Sequence, residues 1–144
     1  MSEILDRAAI EKLLPHRAPM LLLDTATTEG DTAVCTYAIP PDAYFTRGHF
    51  PDNPVVPGVM LCEMMGQSAC VLIGDASGKT PYFTGMDGVR FKRVVRPGET
   101  ITLRSRITRQ KGAFYFIEAT AHVDGALAAK AELSFALLNN ESVN

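Results

Sequence analysis

His49 and Glu63 carry the side chains of this sequence best suited to moving protons, and they lie fourteen residues apart across a change in chain character. His49 stands in the stretch Gly48-His-Phe-Pro-Asp-Asn-Pro54, and an imidazole is the usual base near neutral pH. Glu63 is the single charge in the 22 residues from Asn53 to Gly74. Burying an ionised carboxylate without a partner costs several kcal/mol, so a sealed Glu63 is expected to stay partly neutral, as a general acid must. Between the two, Pro57 suits a first helical position and Gly58 lets another group approach the backbone. The unpaired N–H groups of a first turn, at the positive end of the helix dipole, favour developing negative charge. A base, an acid and an oxyanion donor at one loop–helix junction suit proton abstraction beside a carbonyl. Gln67, one turn beyond Glu63, is placed to orient the carboxyl or a ligand group. A glutamate merely satisfied by hydrogen bonds at a subunit contact is the competing explanation.

Other chemistries fit less well. Gly66-Gln67-Ser68-Ala69-Cys70 resembles a nucleophile elbow but ends in Cys and falls inside a helical segment. Cys62 and Cys70, two turns apart on an apolar helix, read as core thiols. Three cysteines without a CxxC spacing indicate neither a disulfide framework nor a zinc cluster. With no HExxH, P-loop or GxGxxG, no metal or nucleotide is implied. His16, after Pro15, and His122, on a strand, are assigned no role.

The elements that must position these groups follow from periodicity. Pro57–Ile73 reads as a helix of 17 residues, apolar nearly all round. It is long enough to be weighed as a membrane span, but Pro57, Gly58 and Gln67 interrupt it, and Asp52 and Asp75, not basic residues, bracket it. Asp6–Leu14 predicts a short amphipathic helix stopped by Pro15. Met20–Thr27 and Asp31–Ile39 predict strands joined at Glu29-Gly30, and Pro40–Val56 a long loop with a function. Phe83, Gly85, Asp87, Val89 and Phe91 alternate within a strand over Tyr82–Phe91. Ile101–Thr108 and Phe114–Val123 also read as strands, with a tight hairpin turn at Asp124-Gly125. Ala126–Leu138 is rich in helix formers, yet its unbroken period of two argues for a strand. The 144 residues, 47% hydrophobic, suffice for one domain over 1–144: an α+β fold with a mostly antiparallel sheet of five or more strands on one long apolar helix.

Net charge is −2, but the window Arg90–Lys111 carries +7 and the remainder −9. Arg90, Lys92, Arg93 and Arg96 lead that window, which reads either as the solvated face of strands or as a docking surface for an acidic partner. An acidic chain without a helix-turn-helix or RRM-like pattern gives only weak support for nucleic acid as that partner, and none is expected. The Met1–Asp6 start is too charged and too brief for a signal peptide, so a cytoplasmic location is expected.

Three segments resemble one family. Leu13–Asp24 (LLPHRAPMLLLD), Gly48–Gln67 (GHFPDNPVVPGVMLCEMMGQ) and Phe91–Glu99 (FKRVVRPGE) are similar, in order and spacing, to the β-hydroxyacyl-acyl carrier protein dehydratases of FabZ type. The resemblance implies a hot-dog fold, an antiparallel sheet wrapped around a long central helix. It implies homodimers, commonly assembled into hexamers, with His49 of one subunit and Glu63 of the other at each interfacial site. The implied reaction is dehydration of a (3R)-3-hydroxyacyl thioester to the trans-2-enoyl thioester in fatty-acid elongation. In it His49 removes the C2 proton, the Gly58 N–H holds the thioester oxygen and Glu63 protonates the departing hydroxyl. Phe50 and Pro57, within the same motif, join Gly58 and Gln67 around the substrate. The substrate would arrive on the phosphopantetheine of acyl carrier protein, docked at the basic window, with no metal or other cofactor needed. Three positions depart from the family pattern: Asp52 for a usual Gly, Gly66 for Ala, where the change is expected to be easily tolerated, and Val94 for a common Pro. They leave room for a specialised pathway. A hot-dog thioesterase, disfavoured by the intact His-Phe-Pro motif, and a non-catalytic acyl-binding assembly partner are the alternatives.

Overall fold

The computed structural model describes residues 3–74 and 77–141. Helix α1 spans Arg7–Leu13, and the Asp6 carboxylate caps it by accepting from the Ala9 N–H at 2.9 Å. The expected helix Asp6–Leu14 is therefore present, with its end residues acting as caps. Helix α2 spans Gly58–Ile73, so Pro57 is the residue before the first turn and not its first member. Its backbone (φ −58°, ψ 140°) turns the chain into the helix while its carbonyl accepts from Met60 and Leu61.

Six strands form one antiparallel sheet: β1 Thr25–Glu29, β2 Thr32–Ala38, β3 Lys79–Phe91, β4 Thr100–Lys111, β5 Phe114–Val123 and β6 Ala126–Asn139, in the order β1-β2-β4-β5-β6-β3. Helix α2 lies against β2, β4, β5 and β6. The period-two pattern sets this contact: Ile101, Leu103 and Ser105 on β4 and Ala129, Ala131, Leu133 and Phe135 on β6 are buried, while Arg104, Lys130 and Glu132 are exposed. Propensity for helix in Ala126–Leu138 loses to pairing on both sides. The Asp124-Gly125 turn has both residues at positive φ (50° and 78°), as a tight two-residue hairpin requires. The first hairpin turns at Gly30-Asp31, one residue beyond the expected site, since Glu29 pairs with Thr32. The sheet around a helix is the hot-dog arrangement.

Two strand expectations need correction. Met20–Thr27 is not one strand: the ladder begins at Thr25. Leu21, Leu22 and Leu23 are all fully buried, so the segment has no solvent face and is held by side chains instead. Arg7 donates to the carbonyls of Leu21 (2.7 Å) and Leu23 (3.4 Å), and the Leu22 N–H donates to Gln67 Oε1 (2.8 Å). On β3 the alternation from Phe83 to Phe91 is broken by register shifts between Phe83 and Gly85 and between Asp87 and Arg90. Strand β3 is a sheet edge, where bulges and Pro81 are tolerated, and it leaves Tyr82, Phe83 and Met86 exposed.

A Cβ at Gly66 would stand 2.6 Å from Cζ of Phe83 and 3.2 Å from Cζ of Phe135, two rings stacked 4.7 Å apart, so an alanine requires the Phe83 ring to shift. Phe83 is 40% exposed on the edge strand, and alanine gains about 1 kcal/mol over glycine inside a helix, so Gly66→Ala is expected to move the Phe83 ring and change stability by less than about 1 kcal/mol, measurable by chemical denaturation.

Among the described residues no helix is long and apolar enough to cross a membrane.

Candidate active site

The loop before α2 is fastened at several points, and His49 is at its centre. The His49 N–H donates to Thr46 (3.1 Å), its carbonyl accepts from Val55 (2.7 Å), and Phe50 and Asn53 exchange two backbone bonds. The Val56 N–H donates to the Val95 carbonyl (2.8 Å), and Arg96 reaches across to Asn53 Oδ1 (2.7 Å). Asp52 sits in this closed turn without positive φ, so the conformation does not demand the family's glycine. The His49 ring stacks on Phe50, centroids 4.2 Å apart, and its Nδ1 lies 3.2 Å from the Val55 carbonyl. A carbonyl only accepts, so Nδ1 carries the proton and Nε2 of the neutral ring keeps its lone pair.

His49 opens onto a cavity of about 470 Å³ lined also by Val55, Gly58, Leu61, Phe91 and Lys92. Phe91, a strand residue and the first of the Phe91–Glu99 segment but not among the candidate site residues, covers Gly58: a Cβ at Gly58 would stand 2.8 Å from the Phe91 ring. The helix begins here, and the Gly58 N–H makes no hydrogen bond among the described residues. A base with a free lone pair and a helix-end donor thus share one apolar cavity, as the residue types suggested.

Glu63 is elsewhere. It does not line that cavity, and five helical residues from Gly58 put it about 140° around α2 and about 7.5 Å along it. Its side chain is 25% exposed, so the carboxyl is not sealed in the core and the desolvation premise is weaker than the charge-poor run suggested. The Gln67 side chain orients it, donating to Glu63 Oε2 at 2.8 Å and to the Met20 carbonyl at 2.7 Å. His16, to which no role was assigned, comes within 3.5 Å of the same Oε2 through Nε2. One chain therefore brings His49, Phe50, Pro57 and Gly58 together at one end of α2, and Glu63 with Gln67 on another face.

The basic residues divide as well. Arg93 bonds Glu99 at 2.6 and 3.1 Å and holds that carboxyl below its ordinary value, with the Arg96 N–H adding a bond at 2.8 Å. Arg96 is engaged with Asn53 and Pro54. Arg90 and Lys92 are exposed and form no ion pair among the described residues. Arg104 and Arg106 pair with Glu29 and Glu118 on the outer face of the sheet, the solvated-face alternative. The thiols are inert: burial pushes Cys70 up to about 12 and raises Cys62. Ser68 is buried and donates to the Met65 carbonyl, so no nucleophile elbow forms.

A family model described as ApeI-like, ApeI dehydratase, matches residues 25–132. The 3-hydroxyacyl-[acyl-carrier-protein] dehydratase FabZ of Clostridium perfringens (strain SM101 / Type A) is 40% identical over 132 residues, 89% of this chain and 95% of that protein. The protein of the same name from Caldicellulosiruptor saccharolyticus is 41% identical over 137 residues, 92% of this chain and 98% of the relative. The dehydratase heterocomplex ApeI:P from Xenorhabdus doucetiae shares the fold, with a TM-score of 0.78 at 20% identity over 92% of this chain and 91% of that one. The histidine loop, the glycine-started helix and this identity over nearly the whole length agree, and the chain belongs to the FabZ-type 3-hydroxyacyl-[acyl-carrier-protein] dehydratases.

Proposed function

We propose that the protein dehydrates (3R)-3-hydroxyacyl thioesters, carried on acyl carrier protein, to trans-2-enoyl thioesters in fatty-acid biosynthesis. One observation carries the reading: His49 Nε2, with its lone pair free, and the unbonded Gly58 N–H face one apolar cavity. His49 takes the C2 proton, and the electron pair passes to the thioester oxygen, where the Gly58 N–H and the helix dipole stabilise it. Collapse of the enolate expels the C3 hydroxyl, which leaves as water with a proton from Glu63. Acid, base and dipole supply the whole reaction.

Because Glu63 faces away from the His49 cavity, the working site takes it from a second copy. Edge strand β3, with Tyr82, Phe83 and Met86 exposed, is the surface for a homodimer that continues the sheet through paired β3 strands. Lys92, which lines the cavity, and Arg90, two residues before it, are exposed and form no ion pair among the described residues, which suits them to the acidic carrier protein and its phosphopantetheine. Asp52 and Val94, where the family pattern has Gly and Pro, leave room for a second reading, a dehydratase of a specialised acyl pathway.

Turnover of synthetic 3-hydroxyacyl thioesters of graded chain length, with the product identified, tests both. Enoyl product is expected, and the length optimum separates a general from a specialised substrate range. Thiol release without any enoyl product would make the protein a thioesterase.

A further inference from the structure

We propose that His16 is a positioning residue for Glu63, holding its Oε2 together with Gln67 so that Oε1 is the oxygen presented to the substrate. The inference rests on the reading of Glu63 as the acid. Both side chains that approach the carboxyl do so at Oε2: Gln67 Nε2 at 2.8 Å and His16 Nε2 at 3.5 Å. Oε1 makes no hydrogen bond among the described residues.

The environment of the His16 ring decides which nitrogen carries its proton. Nδ1 is buried and has no hydrogen-bond partner among the described residues. A proton there would leave a buried donor unsatisfied and turn the Nε2 lone pair toward a carboxylate; a proton on Nε2 removes that lone-pair repulsion and points a donor at Oε2. His16 thus has the opposite tautomer to His49. One ring directs N–H at the acid, while the other keeps its lone pair for the substrate. Arg17 Nη1 steadies the backbone at His16, donating to the carbonyls of Leu14 (2.9 Å) and His16 (2.7 Å). On the α1 side Arg17 and Glu11 lie 4.0 Å from each other, and on α2 the Cys70 thiol is pushed up to about 12 by burial first and Glu63 second.

A donor on Oε2 has two uses. It stops the carboxyl from rotating, and it leaves Oε1 as the oxygen from which the proton is delivered to the hydroxyl. The pair lies within one chain, which assembles the acid before a second copy supplies the base.

The test compares His16→Phe, which keeps the ring's bulk without a donor, and His16→Gln, whose amide reaches the Nε2 position. His16→Phe is expected to lower kcat by about tenfold with KM changed less than about twofold. His16→Gln is expected to restore most of kcat. Circular dichroism and oligomeric state should match wild type for both. If wild type dehydrates and Glu63→Gln is dead, yet His16→Phe keeps kcat, the inference fails and the reading of Glu63 stands. An equal loss of kcat in both variants, without rescue by Gln, makes His16 a structural residue only and overturns the proposal. A Glu63→Gln variant that turns over normally sinks the underlying reading.

Discussion

Replacing His49 by alanine is expected to lower dehydratase turnover by about 10²- to 10⁴-fold, the range a positioned general base contributes. The fold should survive. The ring is only half-buried, its one side-chain bond runs to the Val55 carbonyl, and the loop retains its backbone bonds to Thr46, Val55 and Val95. Losing the Nδ1 bond costs about 0.5–1.5 kcal/mol, small against the change in rate. Size-exclusion chromatography and thermal melting alongside the assay separate chemistry from folding. Unchanged turnover removes His49 from the mechanism.

Mixing two dead variants should give a live enzyme. In a dimer of His49→Ala with Glu63→Gln, one of the two sites carries both lesions and the other neither. Random reassortment of equal amounts then recovers about a quarter of wild-type activity, because about half of the pairs are mixed and each has one intact site. Unfolding and refolding the variants together, against the same treatment of each alone, provides the measurement. The expectation comes from the position of Glu63 on a face of α2 turned away from the His49 cavity. Reassorted dimers that stay inactive would put both groups of each site in one chain.

How far the sequence reveals this arrangement depends on the distance over which each feature acts. The start of α2, the period-two strands and the Asp124-Gly125 turn are local, and each is legible in a few residues. Gln67 beside Glu63 is legible as well, since four residues on a helix are neighbours by geometry. His16 reaches Glu63 across 47 residues, and no periodicity announces that contact. Phe91 over Gly58, and Phe83 over Gly66, arise where the edge strand curls past the helix, so a glycine that looked interchangeable with alanine is a contact site. The three leucines after Met20 form a run that fits a strand or a buried loop equally well; only the Arg7 and Gln67 side chains that satisfy their backbone decide it. Lack of charge around Glu63 suggested a sealed carboxyl, whereas helix packing left its end near the surface. The proposed pairing of His49 with Glu63 across two chains has no counterpart in local pattern and rests on family likeness.

Gln67 has one amide group and three partners: it receives the Leu22 N–H and donates to Met20 and to Glu63. The anchor of the N-terminal segment and the tether of the acid are the same side chain. Selection therefore cannot adjust one without disturbing the other. A change that loosens the docking of Met20–Leu23 is transmitted to the carboxyl as a lost restraint, and a change that reorients the carboxyl withdraws support from a fully buried leucine. On the proposed mechanism, drift in the Met20–Leu23 segment is read out as rate, and an engineer seeking new acyl specificity at this helix inherits a fold constraint with it.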